Sequence, residues 1–226
     1  MVFQDRPDWP GKASLRVSYF LPFASAFPSV SQRSGRGFMS SILDQPALRH
    51  AALPITVEQY HHLSEQAILS ERTELLRGVI IEQMTKSPLQ TYVVQFLVKW
   101  LESVIGANYH VRKEEPLTLA ESEPGPDIAV VWGTPQDYRA AHPYTAELVV
   151  EVAVTTLELD RDKAEIYAAA GVTEYWIVVP EERAVEVFRD PSASGYGTRV
   201  RHLEPDTMLR SNSLPQVALR MASLFG

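Results

Sequence analysis

The chain has 226 residues, 45% of them hydrophobic, which is enough for one sizeable core, and a formal charge of −7. It contains no cysteine, which excludes disulfides, thiolate metal sites and cysteine nucleophiles and leaves any metal to oxygen or imidazole donors. Residues 1–38 carry a net +3 and the remainder −10, so the body is acidic, which speaks against broad phosphate binding by clustered lysine and arginine and leaves any nucleic-acid role to a local basic patch, a metal or a low-affinity encounter.

Pro7, Pro10, Pro22 and Pro28 break every helical or strand period near the N-terminus. Residues 1–50 are therefore expected to be a disordered extension, or an over-called one if Met39 is the true start. The domain is expected over 51–226. A secretory signal is the rival reading, because Val17–Phe27 is largely apolar and Ala24-Ser25-Ala26 resembles a cleavage site; Pro22 and the early Asp5 and Asp8 speak against it. A cytoplasmic location is the working expectation.

Thr56-Val57-Glu58-Gln59 has capping-box form and opens a helix to about Leu69. Glu74-Leu75-Leu76-Arg77-Gly78-Val79-Ile80-Ile81 reads as a hairpin turning at Arg77-Gly78. Ser87 and Pro88 cap and start a second helix, whose apolar stripe runs from Val93 to Ile105 before Gly106. Strands are expected near 109–119, 127–132 and 147–154, then a helix from about Asp160 to Ala170 stopped by Gly171. A strand at 174–179 and a hairpin from Ala184 into 198–204 follow. This order argues for an α/β domain with a mixed sheet flanked by helices. Trp100, Trp132 and Trp176 lie in apolar runs and are expected to be packing residues.

Two carboxylates stand out. Asp127 opens Ile128-Ala129-Val130-Val131-Trp132, and Glu151 lies inside Leu148-Val149-Val150-Glu151-Val152-Ala153-Val154. A solvent-facing glutamate is the simpler reading of Glu151 taken alone. Yet Val149 and Ala153 share its face while Leu148, Val150 and Val152 form the other, so both faces of the strand are apolar. An acid there loses hydration and needs a cation, a proton or a donor. Asp160, Lys163 and Tyr167 then fall on one face of the next helix, which lets an amine reach back; the alternative is a solvated surface lysine.

These residues, with Ala170-Gly171-Val172-Thr173-Glu174-Tyr175-Trp176, resemble the Uma-type endonucleases, a branch of the PD-(D/E)XK restriction-endonuclease-like superfamily. The resemblance spans about residues 55–221. It implies a restriction-endonuclease-like α/β fold and hydrolysis of DNA phosphodiesters by a metal-activated water, with Mg²⁺ or Mn²⁺ as the ion. Carried over, Asp127 is the metal-bridging acid, Glu151 the second acid, Glu74 the upstream acid and Lys163 the catalytic lysine. Two departures are visible: the position two after Glu151 is Ala153, so Glu-x-Lys is absent, and Val154-Thr155-Thr156 replaces the usual Ser-Pro-Ser. A non-catalytic binding or scaffold module on the same fold is the alternative. Nucleases of the superfamily often pair to cut both strands, which makes a homodimer one expectation.

Other chemistries lack support. His61 and His62 are adjacent and diverge on a helix, and there is no His-Glu-x-x-His, Walker A loop, dinucleotide glycine fingerprint or Gly-x-Ser-x-Gly elbow. No transmembrane span is read. Removal of either acid is expected to abolish metal-dependent cleavage and leave the fold standing.

Overall fold

The computed structural model describes residues 51–225, so the expectations for 1–50 lie outside the described residues. Helix α1 (Val57–Glu65) begins at Thr56, whose hydroxyl accepts from Gln59 N while the Gln59 side chain accepts from Thr56 N, the expected capping box. Strands β1 (Thr73–Leu76) and β2 (Val79–Glu82) form a separate antiparallel hairpin. Its turn residues Arg77 and Gly78 both have positive φ, as a two-residue turn matched to strand twist requires. The long helix α2 (Pro88–Val104) starts where expected, with Ser87 Oγ accepting from Gln90 N.

The main sheet has six strands in the order β3 (Tyr109–Lys113), β4 (Ile128–Trp132), β5 (Leu148–Val152), β6 (Glu174–Val179), β7 (Ala184–Ser192) and β8 (Gly195–His202). Only β5 and β6 run parallel, and helix α3 (Leu157–Ala169) connects them; every other pairing is antiparallel. A short β9 (Met208–Arg210), β10 (Ala218–Arg220) and α4 (Ala222–Phe225) complete the described chain.

The two-sided apolar pattern of β5 is realised in full. Leu148, Val150 and Val152 join Val93, Leu97 and Leu101 of α2 in one core layer. Val149 and Ala153 join Ala164 and Tyr167 on the α3 side in the other. All five β5 residues are buried, so the sheet is covered on both faces. Among the described residues no helix is long and apolar enough to cross a membrane.

Four expectations are corrected. Strand β3 stops at Lys113 rather than 119, because Glu114 has φ 57° and the chain then bonds locally, Leu117 N to Pro124 O and Leu119 N to Ser122 O. Helix α3 starts at Leu157, not Asp160; Asp160 N already bonds Thr156 O, and the Thr156 hydroxyl donates to the Asp160 carboxylate at 2.6 Å. The β7–β8 turn lies between Ser192 and Gly195, so both strands are longer than the apolar pattern suggested. Trp132 is 59% exposed at the end of β4, edge-on to Tyr109, whereas Trp176 is buried as expected.

Candidate functional site

The pairing of β4 with β5 sets Ile128 opposite Val150, which places the preceding Asp127 against Glu151. The two acids are fixed reciprocally by the other strand's backbone. Asp127 N donates to Glu151 Oε2 at 3.0 Å, and Val152 N donates to Asp127 Oδ2 at 2.8 Å. Both side chains are buried, so these bonds offset part of the hydration each carboxylate loses.

Glu74 arrives from β1. That hairpin is tied to the segment leading into Asp127, because Leu75 and Glu123 exchange both backbone bonds and Gly125 N donates to Glu74 Oε2 at 3.2 Å. Helix α3 supplies the amine: Lys163 Nζ lies 3.1 Å from Glu74 Oε1, 3.2 Å from Glu151 Oε1 and 3.8 Å from Asp160 Oδ1. The Tyr167 hydroxyl, one turn further, donates to Glu151 Oε1 at 3.1 Å. Lys163 is 5% exposed, which settles against a solvated surface lysine.

Glu74, Asp127, Glu151 and Lys163 thus line one pocket of about 250 Å³ at the carboxyl end of β5. Two further groups there had no signature in the sequence. Lys86, in the strap between β2 and α2, places Nζ 2.7 Å from Asp127 Oδ1 and 3.1 Å from Glu114 Oε1. Gln90, in the first turn of α2, reaches both Asp127 oxygens at 3.3 and 3.5 Å.

Five carboxylates line the pocket (Glu74, Glu82, Asp127, Glu151 and Asp160) against two lysines. The surplus is felt by the buried members. Burial raises the Glu151 carboxyl, and Asp160, Asp127 and Glu74 add to the rise although Lys163 opposes it, leaving it at about 8. Asp160 is raised to about 6, by burial first, against the opposing pull of Lys163 and of the Thr156 hydroxyl. Burial pushes Lys163 down, but Glu151, Glu74 and Asp160 outweigh it and hold the ammonium above its ordinary range.

The donor set suits a hard divalent cation, being all oxygen and net negative. The acids are bridged by ammonium groups, however, and among the described residues no three acidic or histidine side chains are already arranged around one metal position. The histidines take other roles: His61 pairs with Glu123 at 2.5 Å and His62 bonds the Gln66 side chain.

Buried acids in apolar strands also occur elsewhere, tied to arginine. Glu186 of β7 bonds Arg161, Arg199 and Arg201, and Glu174 of β6 bonds Arg189 and Trp176 Nε1. Neither lines the pocket.

A family model described as "Uma2: Putative restriction endonuclease" matches residues 57–222. Among solved structures, a protein from Anabaena variabilis described as "a putative nuclease belonging to DUF820" superposes with a TM-score of 0.62. It is 20% identical and covers 76% of this chain and 98% of its own, so the two share a fold. No curated protein matches the chain.

Proposed function

The chain belongs to the Uma2 family of restriction-endonuclease-like proteins, and on that premise we propose that it is a divalent-metal-dependent nuclease that hydrolyses DNA phosphodiester bonds. The observation that carries this is the meeting of Asp127 and Glu151 across β4 and β5, with the Lys163 ammonium 3.2 Å from Glu151, in an open pocket with more acids than bases.

Asp127, Glu151 and Glu74 would hold the ion. When bound, Mg²⁺ or Mn²⁺ polarises a phosphodiester oxygen and acidifies water. The chain's own groups prepare the site. Backbone N–H groups of Asp127 and Val152 hold one oxygen of each acid. Tyr167 and Lys163 fix the second oxygen of Glu151. Because its neighbours hold Lys163 protonated, it acts as a positive charge that orients Glu151 and offsets charge building on phosphate, rather than as a base.

The acidic body gives DNA few counter-charges, so substrate affinity in this account depends on the ion and on the few cations near the pocket mouth. A non-catalytic binding module on this fold is the second reading, favoured by the Lys86 contact that already neutralises Asp127. Calorimetric titration of Mn²⁺ into wild type and Asp127→Asn separates the two. The nuclease reading expects saturable binding in wild type that is lost in the variant; equal heats in both contradict it.

A further inference from the structure

Each acid of the pair has one oxygen held by backbone and one held by an amine, but the two amines are built differently. Lys163 projects from the buried face of α3, and its side chain is 7% exposed. Lys86 lies in a solvent-facing strap, 28% exposed, on a stem of rotatable methylenes. Its ammonium contacts Asp127 Oδ1 directly, the oxygen that the backbone leaves free. Glu114 stands beside it at 3.1 Å and is itself half open to solvent, so the ammonium has a second acceptor away from the pocket.

We propose that Lys86 is a built-in cation competitor: its ammonium occupies the free oxygen of Asp127 in the metal-free protein, a divalent ion must displace it, and Glu114 retains the displaced amine at the pocket rim. This rests on the metal-dependent reading above. The contact is charge-assisted and links residues far apart in sequence, and Gln90 Nε2 reaches the same carboxylate at 3.3 Å. Displacement costs the protein one such bond, so the apparent metal affinity is lower than the acids alone would give. The site therefore fills only where the ion is plentiful, or where bound phosphate adds donors to it.

The test is the Mn²⁺ dissociation constant of the full chain, measured by calorimetry for wild type, Lys86→Met, Lys86→Gln and Lys113→Met. Lys113 bonds Glu114 at 3.2 Å, much as Lys86 does, but Asp127 does not figure among its contacts, so it controls for the long-range effect of losing a charge. Both Lys86 variants are expected to bind tighter by about tenfold to a hundredfold, the worth of one charge-assisted hydrogen bond, with Lys113→Met changing far less. The partly exposed position of Lys86 makes misfolding a minor concern, and agreement between the Met and Gln variants guards against it. Unchanged affinity in the Lys86 variants, or equal tightening in Lys113→Met, overturns the proposal while wild-type binding leaves the metal reading intact. Absence of Mn²⁺ binding in wild type and Lys86 variants alike removes the metal reading itself and this inference with it.

Discussion

Replacing Lys163 by methionine removes the cation shared by Glu74, Glu151 and Asp160 while keeping a side chain of similar length. All four residues are 5% exposed or less, and the amine lies 3.1, 3.2 and 3.8 Å from the three carboxylates. Stripping one partner from a buried ion pair costs about 3–5 kcal/mol, because the remaining charge has neither water nor counter-ion. Here the three acids can recover part of the loss by taking up a proton, so about 3 kcal/mol is expected. That is a large share of the stability of an ordinary domain, yet leaves it folded. Equilibrium urea unfolding in EDTA, followed by circular dichroism, reads the effect. Adding Glu151→Gln to Lys163→Met should return on the order of 1 kcal/mol relative to the sum of the single changes, since the two residues are in contact. A loss below about 0.5 kcal/mol, the range of ordinary surface substitutions, refutes the reasoning that Lys163 is the buried counter-charge.

Gly78→Ala puts a Cβ 2.3 Å from Pro54 Cβ at a residue with φ +76°, so a loss of about 2–4 kcal/mol is expected, and an unchanged melting temperature contradicts it. Burial alone would raise the Glu186 carboxyl, but the hydrogen bond from Arg161 and the charges of Arg199 and Arg161 hold it below its ordinary 4.5. A depressed folded-state value contributes stability that is present above 4.5 and lost as pH falls through the lower value. Urea unfolding of wild type and Glu186→Gln should therefore show a gap at neutral pH that narrows below 4.5; a gap independent of pH contradicts this. Truncation of Asp127 or Glu151 to alanine is expected to cost about 1–3 kcal/mol as well as any activity, because Val152 N or Asp127 N loses its acceptor. Asn and Gln keep an acceptor oxygen, and stability of Asp127→Ala equal to Asp127→Asn contradicts that view.

What the sequence made legible was whatever depends on period. The two-sided apolar run of β5 identified a covered strand, and the spacing of Asp160, Lys163 and Tyr167 identified the helix face that turns inward. Glu151 was conspicuous for the same reason, yet Glu186 carries the same signal in Ala184-Val185-Glu186-Val187-Phe188 and is satisfied by three arginines instead. Partners that arrive from distant strands cannot be read from alternation along one of them. Lys86 was illegible on similar grounds: it sits in the polar stretch Gln83-Met84-Thr85-Lys86, 41 positions from Asp127, with no periodic relation to it. The end of β3 depended on one positive φ at Glu114, a residue type that gives no warning of it. Trp132 looked like core because its strand is apolar, but it closes the strand beyond the span paired with β5.

The fold is expected to stand without either acid, but the reciprocal backbone bonds make the loss costly, since each acid also anchors the other's strand. It follows that isosteric amides, not alanine, are the variants that separate chemistry from folding.

The most direct test is nicking of supercoiled plasmid by wild type, Asp127→Asn and Glu151→Gln with Mn²⁺ or Mg²⁺, all three first shown to be equally folded. The account predicts conversion to open-circle DNA by wild type that stops with EDTA and is absent from both variants. Intact plasmid in the presence of wild type and saturating metal, or equal nicking by all three proteins, contradicts it.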